Sequence, residues 1–332
     1  VTDRPVTDRP VTDRPVPERD ARRAAITVDR LRMLAEVARA GTIAGAGRAL
    51  GVTASAVSQQ LSALERDTGI ALLDRHGHRV ALTAAAQTLV DHAGRVDAAL
   101  DAAVADLERL RDVVAGTVVV AAVTSASMTF VAAAVDAVAA AHPDVRSVVV
   151  DEEPSVSLER LRRGEVDVAV VDRYDDVPLP GLDDLTVTAL LDEPVVILAP
   201  TRWRAPSRPS RPRGSVGLAD LAAQRWVLAP STAACGDAVR RACRRAGFEP
   251  DVVRETDDIL AHHRHVAAGH GIAALPRLAT EGVEIAVRRL VLDEPRLERR
   301  LLAVTRPATV QRPAVAAVLA ALDTAAGELR RR

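Results

Sequence analysis

At 332 residues the chain is long enough for two or three domains, and a net charge of −1 gives no reason to expect a nucleic-acid or membrane partner from bulk electrostatics. Hydrophobic residues make up 48% of it and aromatics 2%, so alanine, valine and leucine must carry the packing in several small cores. No uninterrupted apolar run reaches the roughly 20 residues that span a bilayer, and the charged, proline-rich start has no hydrophobic signal region, so the expectation is a cytoplasmic protein with no membrane partner.

Residues 1–15 are three copies of VTDRP. Proline at every fifth residue and the lack of an apolar face predict a disordered tail over 1–25, with order beginning near Ile26. From Asp29 to Ala40, Leu31, Leu34, Val37 and Ala38 fall at helical spacing, and Gly41 ends that helix. Thr42 can cap a second helix running to Leu50. Gly51-Val52-Thr53 then makes a turn, and Thr53 or Ser55 starts a third helix.

In that third helix Val57, Leu61 and Leu64 share the face that must pack on its neighbours. Ser55, Ser58, Gln59 and Ser62 fall on the opposite face, near the helix start, where helix-turn-helix proteins meet base edges. Gln59 can pair bidentately with adenine, and the serines can reach bases or phosphates. Thr53, at the helix start, belongs to the same expected DNA-binding set, and Arg66, further along, suits a phosphate contact. The RHGHR segment after it reads as a wing: Gly77 permits a tight turn, and Arg75 and Arg79 would lie beside the phosphate backbone. The predicted element is therefore a winged helix-turn-helix over 26–86, with double-stranded DNA as partner. Across 29–83 seven arginines face five acids, an excess so small that docking geometry and dimerisation must matter as much as charge.

Residues 84–115 read as one long helix. Leu89, Ala93, Val96, Leu100, Ala103, Leu107, Leu110 and Val114 alternate spacings of four and three. That seam predicts pairing with a second copy through a linker helix over 87–115. After Gly116 the texture changes to α/β. Strands are predicted at 117–123, 145–151, 166–172, 194–200, 226–229, 251–255, 271–275, 284–290 and 299–304. Helices are expected at 126–141, 155–163, 234–246, 257–268 and 310–329. Apolar strands alternating with helices imply a parallel sheet covered on both faces. An Arg/Pro/Ser-rich loop, 203–215, interrupts the pattern without an assigned role.

No catalytic set stands out, whether Ser/His/Asp or paired carboxylates, and Gly269 and Gly271 read as a turn rather than a phosphate loop. His262, His263 and His265 fan around one helix, and no cysteine pair at zinc spacing joins them or His270. Cys235 and Cys243 sit eight apart in one helix, too far for a disulfide, and two free thiols fit a reducing compartment. Neither enzyme activity, nor a metal, nor a cofactor is expected.

The N-terminal portion resembles the LysR-type transcriptional regulators. The resemblance runs from Leu31, Leu34, Val37, Ala40 and Gly41 through Ala49-Leu50, Val52-Thr53 and Ala56-Val57-Ser58-Gln59-Gln60-Leu61. It continues through Leu64-Glu65, Gly69, Leu72, Arg75, Arg79, Leu82 and Thr83. Leu73 stands where the family usually has Phe, and Ala85 or Ala86 where it usually has Gly. A weaker resemblance continues at 158–172 and 256–276.

That resemblance implies a two-lobed, periplasmic-binding-protein-like effector domain over 116–332. Lobe I would take about 117–194 and 277–332, lobe II about 195–276, with the chain crossing near 193–198 and 274–278. It further implies a small-molecule effector, a small carboxylate or amino acid, in the cleft. Thr124, Ser125 and Ser127 would face it from lobe I, Ser231 and Thr232 from lobe II, and Asp172 would take a cationic group. A homodimer or homotetramer acting on RNA polymerase would follow. The alternative, a solute-binding protein without catalytic activity, fits the second half alone and leaves the helix-turn-helix unexplained.

Overall fold

The computed structural model describes residues 18–74, 81–109, 114–179, 181–204, 212, 214–293 and 296–331. Two compact units divide at Asp97/Ala98.

The first unit opens with α1 (Glu18–Ala25), so ordered structure begins earlier than Ile26. The ERDARRAA stretch is free of the prolines that punctuate the repeats before it, and α1 packs against α4 (Ala54–Thr68). Next come α2 (Val28–Ala40) and α3 (Ile43–Leu50). Thr42 and Thr53 cap α3 and α4 as expected, their hydroxyls accepting from the Gly45 and Ala56 amides at 3.0 and 3.1 Å. Leu34, Val37, Ala46, Val57, Leu61 and Leu64 form the core. Gly47 is required by the tight turn: a Cβ there would stand 2.9 Å from the Val52 carbonyl and 3.1 Å from the Ala54 amide. Strands β1 (Leu73–Asp74) and β2 (Ala81–Leu82) pair antiparallel as the base of the wing. Its tip, with Arg75 and Arg79, lies outside the described residues.

Helix α5 (Ala84–Arg109) leads from the first unit into the second. Its seam does not behave as one surface. Leu89 packs against the first unit's core, and Ala93 is buried. Val96 is half-buried, and Asp97 pairs with Arg32 of α2 at 2.8 Å. Further along, Leu100, Ala103 and Leu107 are exposed, Leu107 to 64%. Val114 belongs to no seam: it lies beyond the end of α5 and packs against the core of the second unit. Leu110 lies outside the described residues.

In the second unit β3 (Gly116–Ala122), β4 (Val145–Asp151) and β5 (Val168–Tyr174) are parallel. The 18-residue apolar helical stretch Thr124–Ala141 connects β3 to β4 and is apolar enough to cross a membrane by composition. Here it covers the sheet instead, burying Ala126, Phe130, Val131, Ala134 and Val138. It comprises α6 (Thr124–Ala126), a π turn (Ser127–Val131) and α7 (Ala132–Ala141). Helix α8 (Pro154–Arg162) covers the other face with Leu158 and Leu161, as a parallel sheet requires.

One strand joins the two lobes. β6 (Thr186–Pro200) is 15 residues long. Its first part, 186–194, pairs with β12 (Glu298–Thr305) in lobe I. Its second part, 195–200, pairs with β10 (Ala273–Pro276) and β11 (Val287–Leu292) in lobe II. The outward crossing is thus at 194/195, within the expected 193–198. The return differs: β11 stays in lobe II, where Leu290 and Leu292 are buried, so the chain crosses back between β11 and β12 rather than at 274–278. The segment Arg277–Thr280 touches lobe I through Leu278 and then turns back. β11 follows lobe II because its alternate leucines fit the core that Tyr174, Ile197, Trp226 and Val239 build. Lobe II is completed by β7 (Ser215–Val216), β8 (Arg225–Leu228), α9 (Ala234–Arg245), β9 (Asp251–Glu255) and α10 (Ile259–Ala267). The chain ends with α11 (Pro313–Arg330) back on lobe I.

Candidate DNA-reading helix and effector cleft

Helix α4 presents two opposite faces. Val57, Leu61 and Leu64 are fully buried against α2 and α3. Ser55, Gln59 and Arg66 are exposed, and Ser58 and Ser62 are half-buried beside them. Thr53, spent on the cap, fixes where that polar face begins. At the other end Glu65 Oε1 accepts from the Leu72 and Leu73 amides at 2.8 and 3.0 Å, tying α4 to the base of the wing. Sequence reasoning missed Arg30. Its guanidinium donates to Gln60 Oε1 (3.1 Å), Asp67 Oδ2 (2.9 Å) and the Ala25 carbonyl (2.9 Å), so it staples α1 and α2 to the flank of α4.

The six residues expected at the effector site divide. Thr124 is exposed and lines a cavity of about 650 Å³ with Met128, Asp257, Asp258, Leu260 and Glu284. Ser231 and Thr232 line a different one of about 350 Å³, with Glu153, Arg162 and Asp237. Ser127 sits half-buried in the π turn and lines neither. Ser125 and Asp172 are buried and face a guanidinium of the chain itself.

That guanidinium is Arg299 on β12, 3% exposed. It donates from Nε and Nη2 to Oε1 of Glu193, the Nε bond at 2.9 Å. From Nη1 it donates to Ser125 Oγ at 2.8 Å. The other Glu193 oxygen accepts from the Leu278 amide at 2.7 Å. Asp172 Oδ2 stands 3.7 Å from Nη1, beyond a hydrogen bond, and Asp172 Oδ1 is buried without a partner. Two residues on, the Tyr174 hydroxyl is likewise buried without a partner.

Burial pushes the Asp172 carboxyl above its ordinary range, and Arg299 offsets this in part. Burial, and then the Asp172 charge, push Glu153 up as well. Cys235, at the start of α9, is pushed up to about 11 by burial, and Cys243 to about 12, so both are poor nucleophiles. The expected role of Asp172 as acceptor for a ligand cation is thus partly taken by the chain's own Arg299. Glu193 and Arg299 carried a signal that went unused: each is a charged residue within an apolar strand, at an inward-facing position.

The histidines do not gather. His262 and His263 turn Nδ1 to the Asp258 and Ile259 carbonyls of their own helix at 2.9 and 2.8 Å, and burial lowers both pKa values. His265 and His270 approach each other at 2.9 Å. Most of the 203–215 loop lies outside the described residues. Its start is anchored by Trp203, whose indole donates to Gln224 Oε1 at 3.0 Å.

Two family models match the chain: the bacterial regulatory helix-turn-helix of the lysR family over residues 28–87 and the LysR substrate binding domain over 111–327. An HTH-type transcriptional regulator of Shigella flexneri, YfeR, is 30% identical over 84% of this chain and 88% of its own. Among solved structures, a full-length OxyR variant from Pseudomonas aeruginosa superposes with a TM-score of 0.70 at 19% identity, over 90% of this chain and 94% of that one. Full-length CbnR complexed with its target DNA gives 0.58 at 21%, over 90% and 100%. The helix-turn-helix followed by a two-lobed effector-binding domain, matched over most of its length, makes this chain a member of the LysR family of DNA-binding transcriptional regulators.

Proposed function

We propose that the protein is a ligand-responsive, sequence-specific regulator that works as a dimer or a tetramer of paired chains in the cytoplasm. The polar face of α4 enters the major groove. Gln59 reads a base edge there; Ser55, Ser58 and Ser62 add contacts to bases or phosphates, and Arg66 meets the backbone. Arg75 and Arg79 on the wing anchor the flanking phosphates. The exposed stretch of α5 with Leu100, Ala103 and Leu107 pairs with a second copy, which sets two reading helices on an interrupted palindrome. A small carboxylate or amino acid binds between the lobes, with Ser231 and Thr232, just before α9, as its anion-binding side. Its binding alters the lobes, and through them the DNA bend and access of RNA polymerase.

The observation that carries this reading is the capped α4, buried on one face by Val57, Leu61 and Leu64 and polar on the other. Purified protein is expected to bind its own upstream DNA more tightly than random DNA at moderate salt. Equal affinity for the two sinks the proposal.

A further inference from the structure

We infer that α1 is a second DNA-contacting element, its Arg19 and Arg23 meeting the phosphate backbone on the flank of the reading helix opposite the wing. This rests on the reading in which the polar face of α4 enters the major groove. It adds a surface that the helix-turn-helix proper does not contain, since α1 ends at Ala25 and the matched segment begins at residue 28.

The edges of α4 set the position. Val57, Leu61 and Leu64 occupy its inner face, and Ser55, Gln59 and Arg66 its outer one. Two edges run between these faces. Glu65 lies on one and holds the base of the wing through the Leu72 and Leu73 amides at 2.8 and 3.0 Å. Gln60 and Asp67, seven residues apart, share the other. Arg30 grips both, Gln60 Oε1 at 3.1 Å and Asp67 Oδ2 at 2.9 Å, and donates at 2.9 Å to the Ala25 carbonyl that ends α1. The wing and α1 therefore flank the reading helix on opposite sides. A helix seated in the major groove has a sugar–phosphate strand along each side.

The period of α1 sets its orientation. Ala21, Ala24 and Ala25 share the side that meets Arg30, Gln60 and Asp67 around a groove, and Ala25 is buried. Arg19 and Arg23, one turn apart, fall on the opposite side and are exposed. Small alanines let the helix lie close to α4, and the arginines reach outward from it.

Charge identifies the partner. Three arginines of the neighbouring helices are spent on acids: Arg30 on Asp67, Arg32 on Asp97 and Arg39 on Glu36. Among the described residues from 29 to 74 that leaves Arg48 and Arg66. The stretch ERDARRAA carries three arginines against two acids, and its outward pair matches the anionic strand that borders the groove. Continuity with α4 makes duplex DNA the occupant of this face.

The test is titration of the full chain, across a salt series, into a labelled duplex of its own upstream DNA and into a random duplex. Replacing the pair, Arg19→Gln with Arg23→Gln, is expected to weaken binding to both duplexes about tenfold at about 0.1 M salt, and to make log affinity against log salt shallower by about two. The ratio of the two affinities stays as it was, because phosphate contacts carry no sequence information. Arg19→Lys with Arg23→Lys keeps the charge and should keep the slope, so it decides the matter even where the glutamine pair lowers the melting temperature. An unmoved slope in the glutamine pair overturns the inference, as does a lysine pair that behaves like the glutamine pair. Equal affinity of the unaltered chain for the two duplexes overturns the reading of α4 and this inference with it. Preference for its own DNA with the slope unmoved in the glutamine pair overturns the part of α1 alone.

Discussion

Helix α4 and the Arg299 cluster were unequally visible. In α4 every feature is local. A threonine caps it, a glycine in the left-handed region closes it at Gly69, and apolar residues repeat at helical spacing along one side. The cluster is assembled from α6, β5, β6 and β12, with Arg299 lying 174 residues from Ser125 and 106 from Glu193. The lesson is that a surface built to touch an external partner can be read from one segment. A buried charge network can be read only once its strands are adjacent.

The comparison predicts opposite responses to substitution. Arg299→Met should have the largest effect, because it strands Glu193 and Asp172 as buried, unpaired carboxylates. Breaking such a pair costs about 3–5 kcal/mol, so urea denaturation should show the second unit unfolding at much lower denaturant while the first unit's transition stays in place. A small change would mean that water reaches the cluster.

On the DNA side, Gly47→Ala should cost about 1–3 kcal/mol through overpacking against the Val52 carbonyl and Ala54 amide. It should lower the melting temperature of the first unit and its DNA affinity together. Gln59→Ala should leave folding intact and relax base preference by about 1–3 kcal/mol, and an unaltered set of selected sites would remove Gln59 from the reading face. Thr53→Ala removes the cap hydroxyl and should cost about 1 kcal/mol of stability, measured by thermal melting.

The smallest effect expected is one of pH. The carboxyls of Asp172 and Glu153 titrate above their ordinary values in the fold, so the folded protein holds their protons more tightly than the unfolded chain does. Their contribution to stability therefore rises as pH falls through the raised values toward the ordinary carboxylate range, and declines as pH climbs back. Glu153→Gln should flatten that decline in a pH series of denaturation curves.

Much of the fold was legible. The strands at 145–151 and 251–255 begin and end where valine-rich runs do, and the caps at Thr42 and Thr53 lie where hydroxyls precede helical periodicity. Three expectations needed correction. Helix α1 precedes Ile26, because a short polar helix that gains its stability by packing on α4 has no strong periodic signal of its own. The seam of α5 divides, because heptad spacing does not say which copy or which domain covers it. The return crossing moves from 274–278 to between β11 and β12, because β11 is apolar enough for either lobe and its pairing with β6 decides.

The sequence by itself determined the local structure of this protein. Hydrophobic period, caps and turn glycines select each helix and strand over its own few residues, and those signals also set the polar face of α4 apart from its buried one. Only the tertiary structure decided how charge is distributed inside the effector domain. Whether Asp172 meets a ligand, a proton or Arg299 depends on which strands the sheet brings together, and pairing across more than a hundred residues leaves no trace in any one segment.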